Sequence, residues 1–182
     1  REAREEYGES LAGLTEGPSM YRGKGDHRVP AYNFRSTLTT RDDLRVAIEK
    51  PKHYSPGPHR HFIDSVKKHG FRTFEELFHD APLWGPVNGK SDPNKADYTG
   101  VNYNYPEADY AMRAEIADRV RDHWLSLWWM LQNDPELPED FKTSARRWGL
   151  PQDEFVESGH VSPQNYVREA RRLLGRHMLT QR

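Results

Sequence analysis

The sequence predicts an α+β, helix-rich fold, and three observations carry that reading. Residues 106–132 (PEADYAMRAEIADRVRDHWLSLWWMLQ) place Met112, Ile116, Val120, Trp124, Leu127, Trp128 and Leu131 on one side of a 3.6-residue repeat, which predicts one long amphipathic helix. Residues 29–39 are rich in β-branched and aromatic side chains, with Tyr32, Phe34, Ser36 and Leu38 on one face of a strand. Between these two stretches, residues 59–78 carry the stop and start signals of two short helices.

A chain of 182 residues is one domain, or one with an appendage. Hydrophobic residues make up 35% against 30% charged, and mean hydropathy is −1.01, so the apolar side chains must be concentrated in a few elements. An aromatic content of 12% argues against a disordered chain. A net charge of −1 gives no overall attraction to nucleic acid or to an anionic membrane. With no cysteine there are no disulfides, thiolate nucleophiles or Cys-based metal sites. No apolar run approaches the roughly 18 residues that a bilayer span needs, and no signal-like stretch is present, so a soluble chain is expected. REAREEYGES lacks an initiator Met and HMLTQR ends without a tail, so both ends are read as cut from a longer polypeptide.

Taken in order, residues 1–9 are charged and helix-tolerant, and Gly8, Gly13, Gly17 and Pro18 then break any regular pattern. A short helix or strand end followed by loop is expected there, with loop continuing over 20–28. After the strand at 29–39, residues 42–49 fit neither period, and Pro51, Pro56 and Pro58 keep the next segment from being helical. Phe62, Ile63 and Val66 share a face across 59–69, which stops at Gly70 as a helix with a glycine terminator does. Thr73-x-x-Glu76 is a capping-box pattern that opens a second short helix with Phe74, Leu77 and Phe78. Residues 81–104 hold Pro82, Gly85, Pro86, Gly89, Pro93 and Gly100, and are expected to be a long irregular stretch packed down by Leu83, Trp84, Val87 and Tyr98. Pro106 suits the first position of the long helix, Glu107 and Asp109 complement its dipole, and Asn133-Asp134-Pro135 ends it. At about 1.5 Å per residue that helix is roughly 40 Å long. Residues 138–148 read as a shorter helix closing at Gly149. Residues 165–180 read either as a helix up to Gly175 or as two strands kinked at that glycine.

Three groups of residues have chemical possibilities. His53, His59, His61 and His69 lie near one another, but on a helix His59 and His61 point apart, so solvated or capping histidines are expected and no metal site. Trp124 and Trp128 sit on the apolar face as core residues, whereas Trp129 lies off it and is free for another task. Arg146, Arg147, Arg168, Arg171, Arg172 and Arg176 concentrate guanidinium groups in the last third, as recognition of an anionic ligand or cofactor requires. The alternative is solvated helix faces paired with Asp153, Glu154 and Glu169. There is no Gly-x-Gly-x-x-Gly, P-loop, Gly-x-Ser-x-Gly or His-Glu-x-x-His motif.

Six collinear stretches resemble one family: REAREEYGESLAG at 1–13, AYNFRSTLT at 31–39, PVNGKSDPN at 86–94, NYNYPEADYAMRAEI at 102–116, WGLPQDEF at 148–155 and YVREARRLLGRHMLT at 166–180. They are similar to the FAD-dependent oxidoreductases, some of which carry a xanthan-lyase label. The resemblance implies an FAD enzyme that transfers hydride between an organic substrate and its flavin. It also implies that residues 1–182 are a single interior segment, the substrate-facing and capping portion of a two-domain α/β, Rossmann-like flavoprotein. The glycine-rich dinucleotide-binding half would lie outside the segment, which alone is expected to be incomplete and inactive. By position in the family pattern, Arg168, Arg171 and Arg172 are the cofactor-binding candidates. Asn33, Arg35, Asn88, Lys90 and Glu169 are the substrate-binding ones, with Glu169 also orienting a neighbouring arginine. A Pro-His-Gln often precedes the tyrosine of the last stretch, whereas this chain has Ser162-Pro163-Gln164. That departure leaves His160 and Glu169 as the catalytic candidates. The partners implied are a small organic substrate and the remainder of the flavoprotein chain, with no nucleic acid and no membrane.

Two other readings of the same residues stay open: a non-catalytic carbohydrate- or ligand-binding helical module using Trp, Tyr, Asn and Arg, and a nucleic-acid-associated domain using the arginine-rich last third, which the near-zero net charge disfavours.

Overall fold

A single 24-residue helix, α3 (Tyr110–Asn133), about 36 Å long, is the axis on which the other elements assemble. The computed structural model describes residues 27–78, 87–93, 95–171 and 175–176. Ile116, Val120, Trp124, Leu127, Trp128 and Leu131 are buried along α3, and Met130, His123, Ser126 and Gln132 join them. The helix starts later than its sequence suggests. Asp109 is the N-cap in extended conformation, and its carboxylate accepts from Met112 N at 2.8 Å. Pro106 therefore lies outside the helix, and its carbonyl accepts from Arg113 and Arg171. Met112, expected on the buried face, is 47% exposed because the first turn of α3 projects beyond the elements packed on it.

Residues 32–39 run through the interior beside α3. They form two short strands, β1 (Asn33–Phe34) and β2 (Leu38–Thr39), instead of one continuous strand. The break follows from a change of partners. Tyr32 bridges Tyr98, and β1 pairs antiparallel with β6 (Asn165–Tyr166), matching Asn33 with Tyr166. β2 pairs antiparallel with β4 (Lys90–Ser91), and Thr39 bridges Gly149. Tyr32, Phe34, Ser36 and Leu38 are all buried, as alternation predicts, but Asn33 and Thr39 are fully buried as well. Covered on both faces, the segment cannot show a clean inside-outside pattern. The ambiguous stretch 42–49 supplies β3 (Arg45–Val46), which pairs antiparallel with β5 (Leu150–Pro151). Strand β6 decides the start of the 165–180 stretch against helix, and residues 167–171 continue without regular structure.

Three further helices close the core. α1 (Arg60–His69) buries Ile63 and Val66 and ends at Gly70, whose φ of 67° is the left-handed terminator that its sequence announces. α2 (Phe74–Leu77) opens with both bonds of the Thr73–Glu76 capping box. α4 (Glu139–Ala145) is shorter than the predicted 138–148 because residues 146–148 form a turn. Gln132 at the end of α3 donates to the Ala145 and Trp148 carbonyls, satisfying the end of α4. Phe74, Phe78, Trp124, Trp128 and Trp148 make one aromatic cluster, with Trp124 and Trp128 edge-to-face at 5.5 Å. Architecture is thus mixed: helices with small antiparallel sheets, an α+β fold. Among the described residues no helix is long and apolar enough to cross a membrane. The expectations for residues 1–26, for 79–86 with Leu83 and Trp84, and for 172–174 and 177–180 lie outside the described residues.

Two outcomes test this packing. A Cβ at Gly149 would strike the Val46 carbonyl and lie 2.6 Å from Arg45 Cγ, whereas one at Gly57 meets nothing within 4 Å. In urea denaturation Gly149→Ala is expected to lose about 1–3 kcal/mol and Gly57→Ala to stay within about 0.5 kcal/mol of the parent. Hydrogen bonds from Arg60 and Lys67 hold the Glu136 carboxyl at about 2, below its ordinary 4.5. Its stabilising contribution is therefore complete above pH 4.5 and is lost as pH falls towards 2, so melting of Glu136→Gln loses that part of the acid dependence.

Candidate functional site

A second stripe runs along α3 beside the buried one. Glu115, Asp118, Asp122, Ser126 and Trp129 follow one another at helical spacing, and the last three hold the proline-rich segment 50–58 onto the helix. Trp129 packs edge-on to Tyr54 at 4.7 Å, with Lys50 Nζ over both rings at 4.9 and 5.1 Å. Ser126 Oγ accepts from Ser55 N at 3.3 Å. Asp122 Oδ2 accepts from His53 twice, from its backbone N–H at 2.9 Å and from Nδ1 at 2.7 Å. The segment cannot slide along α3 without breaking all three contacts.

Between segment 50–58 and α3 lies a cleft of about 490 Å³, lined by Lys52, His53, Ser55, Tyr98, Glu115, Asp118, Arg119 and His123. The carboxylate on Nδ1 fixes the His53 tautomer and leaves Nε2 as a proton acceptor, the pairing that general bases use. Asp122 is largely covered, at 15% side-chain exposure, while His53 is 54% exposed and open to a ligand. Below the cleft three rings stack. Tyr98 lies parallel to His123 at 4.0 Å and 7°, and His59 lies on His123 at 4.1 Å and 36°. His59 Nε2 donates to the His123 carbonyl at 3.0 Å. Burial pushes His59 down to about 4 and His123 down to about 3, with the neighbouring imidazoles adding to the effect. Both are neutral hydrogen-bonding groups at physiological pH.

The histidines thus divide. His53, His61 and His69 are exposed, but His59 is buried, which overturns its reading as a solvated or capping residue. Its position at the start of α1 aims the ring at α3, where the His123 carbonyl receives it. Among the described residues no three His, Asp or Glu side chains converge as a metal ion needs.

The other sequence candidates fall in two places. Asn33, Arg35 and Arg168 come together at the β1–β6 pair around Tyr166, whose ring has the Arg35 and Arg168 guanidinium carbons at 5.8 and 5.9 Å. Arg35 is paired with Asp92, and Arg168 donates to both oxygens of Asp97 at 3.1 and 3.0 Å. Arg171 holds Glu107 and the Pro106 carbonyl at the N-terminal end of α3, while Arg146 holds Gln132 O and Glu139 at its C-terminal end. Among the described residues Arg146, Arg168 and Arg171 are therefore held at separate places by separate carboxylates and do not form one anion site. Lys90, inside β4, holds Asp153 and Glu154 at 2.7 and 2.8 Å, so those acids serve a lysine and not the arginines. Asn88 occupies a left-handed turn at φ 57° just before β4. His160 also has positive φ, 64°, and its Nδ1 donates to the Glu154 carbonyl; Glu169 is exposed. Neither lines the cleft. Arg172 lies outside the described residues.

The β1–β6 pair holds a side chain whose polar atoms are not used. The Asn165 amide on β6 has a buried Nδ2 and a buried Oδ1 with no hydrogen-bond partner among the described residues, an open donor beside an open acceptor. Arg35 and Arg168 flank the same strand, each already paired with a carboxylate. Asp97 joins this edge to the cleft along the chain, because its carboxylate holds Arg168 and the next residue is Tyr98 of the cleft lining.

Sequence reasoning missed Tyr98 as a cleft residue, the anchored role of His53, and Asp122 and His123 altogether. The available signal was the polar 115–118–122–126–129 stripe beside the apolar one, with a histidine at the buried border of the two.

A sequence model of the family described as FAD dependent oxidoreductase matches residues 1–182. No curated protein and no solved structure matches the chain.

Because both buried imidazoles are held below the ordinary 6.5, their contribution to stability is complete above pH 6.5 and is lost as pH falls towards 4 and 3. Melting temperatures measured from pH 7 to pH 4 should fall less steeply for His123→Phe, which keeps a ring against Tyr98 and cannot take up a proton.

Proposed function

Given that the chain belongs to the FAD dependent oxidoreductase family, we propose that it is the substrate-facing and capping portion of a two-domain flavoprotein oxidoreductase that oxidises a small organic substrate in the α3 cleft. The observation that carries this reading is the Asp122-anchored His53 at the mouth of the cleft. Bound FAD supplies a two-electron acceptor or donor for hydride. This chain's residues supply the rest. Asn165 would hold the flavin ring through its open donor and acceptor, with Arg35 and Arg168 beside it. Arg171 belongs to the same cofactor edge in this reading, and the remainder of the flavoprotein chain contributes the dinucleotide seat.

Oxidation by hydride loss requires a proton to leave the substrate heteroatom. His53 Nε2 takes that proton, and Asp122 stabilises the imidazolium that forms, since its carboxylate already sits on Nδ1. Tyr98 on His123 forms a flat floor that excludes water from one side of the substrate. Arg168, held by Asp97 just before Tyr98, ties the cofactor edge to the floor. Asn33 lies fully buried within β1 and supports this edge without reaching the cleft.

Purified full-length protein should show flavin absorbance. His53→Gln should lower kcat by about 10²-fold or more, while Asp122→Asn lowers kcat by a smaller factor. Wild-type turnover by His53→Gln would remove the proton-acceptor role. A full-length protein that stays colourless after incubation with FAD would remove the flavoprotein reading itself.

A further inference from the structure

The charges that line the cleft balance in number but are not all paired. Arg119 holds Glu115 at 2.6 Å one turn away, Asp122 is taken by His53, and His123 is neutral. Two lining groups then remain with no ionic or hydrogen-bond partner among the described residues: the Lys52 ammonium and the Asp118 carboxylate. Both share the cleft with the proton acceptor. Lys52 precedes His53 in the segment over the cleft, and Asp118 lies one helical turn before Asp122, the residue that anchors His53.

We infer that the cleft takes a small zwitterion, its carboxylate on Lys52 and its ammonium on Asp118. This rests on the reading of the cleft as the substrate site. A plain anion would satisfy Lys52 but face the Asp118 carboxylate, and a plain cation would meet the reverse conflict. Either would be disfavoured by the group it cannot pair. A neutral polyol is less suited, because Ser55 and Tyr98 are the only uncharged hydroxyls in the lining and every other polar group there is an ionisable side chain. Both pairs would form over the Tyr98–His123 floor, where water is partly displaced and charge pairing is stronger than on an open surface. The cleft volume of about 490 Å³ is ample for an amino acid or a short aminocarboxylic acid.

The test is calorimetric titration of resting, full-length protein, read without turnover and so independent of any flavin chemistry. Probes are glycine and 4-aminobutyrate as zwitterions, butyrate and butylamine as single-charge partners, and glucose as a neutral polyol. One zwitterion should bind at least tenfold more tightly than butyrate, butylamine or glucose. Lys52→Met and Asp118→Asn should each bring it down to the single-charge level. The exchange Lys52→Asp with Asp118→Lys should restore much of the binding, because a zwitterion can enter reversed. Glucose or a single-charge probe matching both zwitterions, or no saturable binding by either zwitterion, overturns the inference. Those outcomes are separable from failure of the redox reading, which is decided by flavin absorbance and by turnover of His53→Gln.

Discussion

Trp124 and Trp128 sit one turn apart on the same side of α3, and both are almost completely removed from solvent. No neighbouring turn of the same helix can cover two indoles, so their burial demands other elements from distant parts of the chain. Phe74 and Phe78 come from α2 and the residue after it, Trp148 follows α4, and strands β1 and β6 lie along the helix. Both indole N–H groups are buried without a hydrogen-bond partner among the described residues. Leaving a donor unsatisfied costs about 1–3 kcal/mol, whereas burying the roughly 200 Å² of an indole contributes about 5 kcal/mol at 25 cal/mol per Å². Apolar burial wins at each position, which is why the helix tolerates the two orphan donors.

The same helix organises the cleft because adjacent residues on it point about 100° apart. Asp122 faces the segment 50–58 and receives His53, while His123 turns inward to meet Tyr98 and His59. One residue step separates the anchor of an exposed imidazole from a buried one that is neutral at physiological pH. Burial explains the division: a charged imidazole under the Tyr98 ring would forfeit its hydration, so His123 stays neutral at physiological pH and acts through its shape.

Surface ion pairs have a positioning role more than an energetic one. The Arg168–Asp97, Arg171–Glu107 and Arg146–Glu139 pairs are substantially exposed, where such pairs contribute little to stability. Their value lies in where they tie the chain. Arg168 and Arg171 fasten the segment after β6 to residues before and beside α3, and Lys90 joins β4 to the loop after β5.

Local chemistry was enough for the sequence to specify the terminators and caps. Gly70 has to accept a left-handed backbone, Thr73 and Glu76 can satisfy each other's backbone donors, and the 3.6-residue recurrence from Ile116 to Leu131 selects a buried helix face without reference to any partner. Family membership was legible for a similar reason, since short collinear stretches carry it residue by residue. Start of α3 was not, because Pro106 and Asp109 both suit a helix beginning and only the cap bond to Met112 chooses between them. Nor was the break at 35–37, which depends on strands contributed from positions 90, 149 and 165. Only the tertiary structure could assemble the cleft. His53, Tyr98, Asp122 and His123 belong to three separate segments with no shared period, and a hydrogen bond or a ring stack between them leaves no trace in the order of residues along the chain.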